Sequence, residues 1–145
     1  MLVEVKAKVA RIIDSKTRKR TETFLVDDCQ IFVDAESAVM DYLINQVNSG
    51  EVGEWDIQSL RISSIKEVAN QFTGNDTFIV TLRDIWLDDD GNEKSLKYNI
   101  LIWADNPSQA MANTLTLARQ GYDMQVEGIK QVDYEYLTDR RDSND

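Results

Sequence analysis

The chain contains no histidine. That removes the commonest general base and the commonest metal ligand together, so neither a Ser-His-Asp nor a Cys-His arrangement can be built. Cysteine is almost as scarce. Cys29 stands alone, no intramolecular disulfide can form, and a reducing compartment fits. No Gly-rich phosphate loop occurs, and no apolar run approaches the ~20 residues that cross a bilayer. The opening MLVEVKAKV alternates apolar and polar residues as a strand does and has no signal-peptide pattern. These absences lead us to expect a cytoplasmic, non-enzymatic protein with no membrane association, no cofactor, no metal site and no catalytic residue.

A chain of 145 residues suits one domain, or two small repeats sharing a core, and can bury roughly 70% of its unfolded surface without disulfide or metal. Its 42% apolar and 29% charged residues are those of an ordinary globular protein. The net charge of −10 is unevenly spread. Residues 1–20 carry seven Lys/Arg against two acids, and the other 125 carry nine against twenty-four. So acidic a body repels phosphates, which leaves the basic start as the one segment suited to nucleic acid.

The best-marked stretch is 97–117, KYNILIWADNPSQAMANTLTL. An apolar strand runs into Asn106 as N-cap, Pro107 (the only proline) at the first helical position, and Gln109 three residues on, as in a capping box. A weaker copy of this junction occupies 24–43, FLVDDCQIFVDAESAVMDYL, which suggests one unit used twice. Leu25-Val26 matches Leu101-Ile102, Glu36 matches Gln109, and residues 57–60 match 126–129.

Period-two alternation over residues 3–9 and 21–26, joined through Asp14 to Arg20, predicts a β-hairpin with a long basic tip. A helix opens at Val33 or Asp34, shows apolar residues at three- and four-residue spacing, and stops at Asn48-Ser49-Gly50. Residues 55–65 read as a strand with a bulge at Ser59-Leu60. The order then repeats: a strand over 77–87, a turn over 88–93, a return strand to 103, a helix over 108–120 stopped by Gly121, and a last strand over 124–137. The expected fold is therefore α+β, with two tandem β-β-α-β repeats (six strands, two helices) related by a pseudo-twofold axis. In each repeat the strand order is 2-1-3, with the helix on one face. The domain division is residues 1–68, a linker at 69–76, residues 77–137, and a disordered acidic tail at 138–145, all in one structural domain. The second repeat, with Trp86, Tyr98 and Trp103 on its strands and residues 100–103 apolar on both faces, is expected to be the more buried. Its surfaces suit a homo-oligomer.

The residues Phe24-Leu25-Val26-Asp27 followed by Ala35-Glu36 resemble the "YLVDA…FTEAE" signature of a family of small proteins of unknown function from Bacteroidetes and their phages. Residues 126–130, Val-Glu-Gly-Ile-Lys, are similar to that family's ending. The resemblance spans about residues 3–137. It implies a phage-type accessory protein and carries no functional residues with it. Val33 stands where a Thr N-cap is usual, Gln131 where an acid is usual, and one residue is extra between Asp28 and Phe32.

Among polar groups the basic run is the sharpest candidate. Lys16, Arg18, Lys19 and Arg20, joined by Lys6, Lys8 and Arg11, suit phosphate groups or a partner surface; the plain alternative is that they pair with the protein's own acids. No aromatic is interleaved, which disfavours a stacking platform for single strands. The acidic turn 88–93 departs from a calcium loop, since Gly91 is its fourth residue rather than its sixth. Asp27-Asp28 sit near a helix N-terminus, where carboxylates already have a structural role. Cys29 reads as a packing residue. The functional expectation is an accessory protein that binds a host or phage protein, such as a counter-defence inhibitor. The alternatives are a nucleotide- or nucleic-acid-binding module using the basic tip, and a virion structural or assembly protein.

Overall fold

The structure is a computed structural model that describes residues 1–118 and 124–138. The alternating start forms β1, Val3–Ile13, which turns back as β2, Lys16–Asp27. Ile13 pairs with Lys16, so only Asp14 and Ser15 lie outside the ladder, with φ of 52° and 64°. This is a two-residue type I′ turn, whose twist matches its strands. The long basic tip expected from the sequence is therefore corrected to paired strand. No Gly or Pro interrupts residues 16–20, so nothing opposes an extended backbone there.

Helix α1, Phe32–Asn48, begins before the expected Val33 or Asp34, with Ile31 as N-cap. The Asp34 carboxylate accepts the amides of Gln30 (2.8 Å) and Ile31 (3.0 Å), the return half of a capping box, while its own amide reaches the Ile31 carbonyl instead of a Thr hydroxyl. At the far end Gly50 adopts φ +79°, its amide reaching Val47 O, while the Glu51 amide reaches Gln46 O. These two bonds make a Schellman motif. Strand β3, Val52–Ile62, then pairs antiparallel with β1, and Gln58 is the extra residue at one of two register shifts.

The stretches 55–65 and 124–137 were each expected to be one strand, and both are broken. After β3 and Ser63-Ser64 comes β4, Ile65–Ala69; after β7, Met124–Val132, and Asp133 comes β8, Tyr134–Thr138. Between them lie β5, Asp76–Leu87, β6, Glu93–Ala104, and α2, Pro107–Ala118. There are thus eight strands among the described residues, in two sheets of order β3-β1-β2-β8 and β4-β6-β5-β7, where six were expected. Each hairpin keeps its third strand beside its first, and each sheet gains a fourth strand parallel to the second: β8 on β2, and β4 on β6. The fourth strand follows the other half's third strand along the chain, and a local sequence pattern carries no trace of that exchange. The chain divides accordingly into two compact units. Residues 1–63 with residues 134–138 form one, and the described residues of 64–133 form the other. The first boundary falls at 63/64 rather than 68/69, because β4 belongs to the second sheet.

In the first unit Val3, Val5, Ala7, Val9, Phe24 and Val26 pack against Ala35, Val39 and Leu43 of α1. Phe24 and Tyr42 meet edge-on, with ring centroids 5.7 Å apart. Burying each large side chain here contributes roughly 1.5–3 kcal/mol. In the second unit Phe78, Val80, Leu82, Ile100 and Ile102 form the core with Ala110 of α2. Leu25 and Leu101, on the opposite faces of their strands, are also fully buried.

The α2 cap is built as its sequence predicts. Asn106 Oδ1 accepts the Gln109 amide at 2.8 Å, and Gln109 Oε1 accepts the Asp105 amide at 2.6 Å. Gln120 and Gly121, expected to end this helix, and the tail from residue 139 on lie outside the described residues. The two hairpins align by register: Val3 faces Val26 where Phe78 faces Ile102. The helices align through Ala35 and Ala110, each buried and fourth in its helix, so Asp34 rather than Glu36 is the counterpart of Gln109. The bulges fall at Gln58 and Glu127, which correspond, rather than at Ser59-Leu60.

Candidate functional site

The seven cations singled out in the sequence all lie on β1 and β2, but not on one face. Side chains alternate along a strand, and residues directly opposite in an antiparallel pair share a face. Arg11, Lys16, Arg18 and Arg20 share the α1 face with Val9 and Glu22; Lys6, Lys8 and Lys19 point the other way. The structure therefore splits the cluster into four and three.

Four of the seven are held by the unit's own acids. Arg11 donates to both oxygens of Glu22, at 2.7 and 2.6 Å, and Arg20 donates to Glu22 at 2.8 Å. Burial raises the free energy of the ionised Glu22 carboxyl, yet the hydrogen bonds from Arg11 and Arg20 outweigh it and hold that carboxyl below its ordinary range. The same bonds hold the Arg11 proton more firmly than usual. Arg11 also meets Tyr42, whose phenol is raised by burial and by Glu135. Lys19 pairs with Glu54 at 3.0 Å and Lys6 reaches Glu4 at 3.9 Å. Both Lys19 and Glu54 are about seven-tenths exposed, so their pair contributes little. Glu4 is itself buried and takes Arg61 at 2.9 Å. Among the described residues Lys8, Lys16 and Arg18 make no ion pair. Lys8 and Lys19 line an open groove of about 260 Å³ with Glu54 and Asp56 on the face away from α1.

The edge of β2 matters as much as its side chains. β8 pairs with β2 only over residues 23–27, while β1 pairs with all of residues 16–26. Residues 16–22 thus have β1 on one side and no described strand on the other.

The other sequence candidates have local roles. Asp27 accepts the Tyr136 hydroxyl at 2.9 Å, and burial together with this carboxylate raises the Tyr136 phenol to about 12. The Cys29 thiol is buried in the first core. At the acidic turn Asp88 Oδ1 accepts the amides of Asp90 and Asn92, so that carboxylate organises its own loop.

The second unit holds a feature the sequence did not reveal, a cavity of about 340 Å³. Its apolar lining is Leu82, Ile100, Leu117 and Met124, and its polar lining is Lys66, Glu67, Asp84 and Tyr98. The Tyr98 hydroxyl donates to Asp84 at 3.1 Å, and Lys66 Nζ lies 4.2 Å from the Tyr98 ring centre.

The model of a family described as a domain of unknown function, DUF4494, matches residues 2–139. The chain belongs to the DUF4494 family. No curated protein and no solved structure matches it. No helix among the described residues is long and apolar enough to cross a membrane. For this DUF4494 member, the basic run was legible as a charge pattern, and its position on an open edge was not. Lys66, Asp84, Tyr98 and Met124 are spread over four elements and share no spacing signal, so only the fold could bring them to one cavity.

Proposed function

We propose that this DUF4494 protein is a non-enzymatic binding module that captures an extended acidic segment of another protein by adding it as a strand to β2 at residues 16–22. One observation carries the reading: those residues are already extended, with one edge unpaired among the described residues. An open edge offers a row of backbone N–H and C=O groups to an incoming strand. Arg18 and Arg20 on one face and Lys19 on the other would meet alternate side chains of that strand, at cross-strand distances of about 5 Å. Acidic side chains fit on both faces. A second copy of β2 would set cation against cation, so the same charges oppose self-pairing. The shared strand order, cap position and bulge site support reading the chain as a duplicated β-β-α-β unit in which the first copy carries the binding edge. The phage-type origin implied by the resemblance of residues 24–36 makes a host or phage protein the partner.

A nucleic-acid reading finds less support, because the cations divide between the two faces of the sheet instead of lining one surface that a phosphate backbone could follow. The discriminating probe is a synthetic strand of alternating Glu and Val, matched in length to residues 16–22 and followed by fluorescence anisotropy. The expected result is salt-sensitive binding that is lost when Lys16, Arg18, Lys19 and Arg20 are changed to Ala, and lost again when the peptide's backbone amides are N-methylated. Equal binding of the N-methylated peptide overturns strand addition. Binding of a single-stranded oligonucleotide but not the peptide returns the edge to the phosphate reading.

A further inference from the structure

The geometry points to the cavity of the second unit as a binding site for a guanidinium carried on a short aliphatic stem, independent of the β2 edge. The first unit shows what this place in the fold accommodates. By the hairpin register Arg11 corresponds to Trp86 and Glu22 to Tyr98. By the helix alignment Tyr42 corresponds to Leu117, and by the bulges Trp55 corresponds to Met124. In the first unit this position is filled from within: the Arg11 guanidinium is bound by Glu22, interacts with Tyr42, and is only 16% exposed. In the second unit the counterpart of Arg11 is Trp86, which is 48% exposed, and the corresponding lining surrounds a cavity instead.

The lining suits the ligand. Leu82, Ile100 and Met124 give an apolar floor for a stem of three or four methylenes, and about 340 Å³ lies within the range of small-molecule sites. Asp84 is half-buried at that floor, accepts the Tyr98 hydroxyl, and has no cation at ion-pair distance among the described residues. A planar guanidinium matches a carboxylate through paired N–H donors and also stacks on an aromatic face. The Tyr98 face already attracts a cation, since the exposed Lys66 ammonium lies over it at 4.2 Å. Lys66 is therefore an internal competitor that an incoming guanidinium displaces into water. Cavity shape, a carboxylate with no ion pair among the described residues and the occupied counterpart in the first unit together favour this ligand over a neutral apolar one.

The guanidinium can come from a free small cation or from an arginine side chain of a peptide, and the test separates the two. The probes are n-butylguanidinium, n-butanol as the neutral isostere of the stem, and acetyl-Gly-Arg-Gly-amide. The readout is the methyl resonance of Met124, with those of Met40 and Met111 as controls. The expected result is a saturable shift of Met124 alone with butylguanidinium. Removal of the charge-assisted bond in Asp84→Asn weakens it by about tenfold or more, and Lys66→Ala strengthens it by a few-fold, on the order of one cation–π contact at an exposed site. A gain in Lys66→Ala cannot come from damage to the fold. Tighter binding of the tripeptide than of butylguanidinium identifies a peptide side chain as the source; equal or weaker binding identifies a small cation. The inference is overturned if butanol matches butylguanidinium, if Asp84→Asn binds unchanged, or if no saturable shift of Met124 occurs. None of these outcomes bears on the β2 edge, whose test uses other residues and another probe.

Discussion

Replacing Glu22 by Gln keeps the shape of the side chain and removes the charge that organises the basic end of the first unit. Glu22 accepts three charge-assisted hydrogen bonds, two from Arg11 and one from Arg20. The side chains of Glu22 and Arg11 are 13% and 16% exposed, so this pair is neither a surface contact worth ~0.2–1 kcal/mol nor a sealed one whose half-removal costs ~3–5 kcal/mol. Arg20, half exposed, can turn to water once released, whereas the largely buried Arg11 is left without a counter-charge. The expected loss is about 2–3 kcal/mol, which lowers the urea midpoint by roughly 1–2 M at the m-values of domains this size. Changing Arg11 to Met and Glu22 to Leu together should cost less than ~1 kcal/mol, because neither charge is then stranded. Acidity supplies an independent check. The folded Glu22 carboxyl titrates below its ordinary value, so its contribution is complete above the unfolded value of about 4.3 and fades as pH falls through the lower folded one. The gap between the wild type and Glu22→Gln should therefore begin to narrow below the unfolded value of about 4.3 and close only once pH falls past the lower folded one. A loss under ~0.5 kcal/mol at neutral pH, or a gap that persists in acid, refutes the reasoning and makes the pair an ordinary solvated one.

Three further outcomes can be measured with the same unfolding assay. A Cβ added at Gly74 would overlap the backbone of Ala104, so Gly74→Ala should cost about 2 kcal/mol or more, and a loss under ~0.5 kcal/mol would show that the loop yields. Ser15, at φ 64° in the hairpin turn, should accept Gly with a gain of about 0.5–1 kcal/mol; a loss would mean that the turn does not hold this conformation. The Tyr136 phenol is raised to about 12, so it stabilises the fold below its ordinary value near 10, and that contribution disappears as pH rises toward 12. Tyr136→Phe should lower stability by about 1 kcal/mol at neutral pH and flatten the alkaline decline, and an unchanged alkaline slope would exclude Tyr136 as its source.

Local signals proved strong where the physics is local. The Asn106-Pro107 start of α2, the Gly50 stop of α1 and the acidic turn after β5 each depend on a few neighbouring residues, and each forms where expected. Asp34 is the instructive failure. The sequence places it at the helix start, yet the helix begins at Phe32, and only the path of the chain before Ile31 shows that Asp34 lies in the first turn with its carboxylate on two backbone amides. The basic hairpin failed for another reason. Polarity suggests a loop, whereas an edge strand can carry Lys and Arg along its whole length, and their like charges oppose pairing with a second copy of itself.

The sequence by itself determined the α+β class, the order of the two hairpins and two helices, and the unequal distribution of charge, because propensity, capping and alternation act over a few residues. Only the tertiary structure decided that β4 and β8 complete each other's half, that the basic run splits across two faces beside an edge with no described partner strand, and that Asp84 and Tyr98 meet over a cavity. Each of these joins residues distant along the chain. Closing such contacts is determined by the packing and backbone pairing of whole sheets, which no short window of sequence contains.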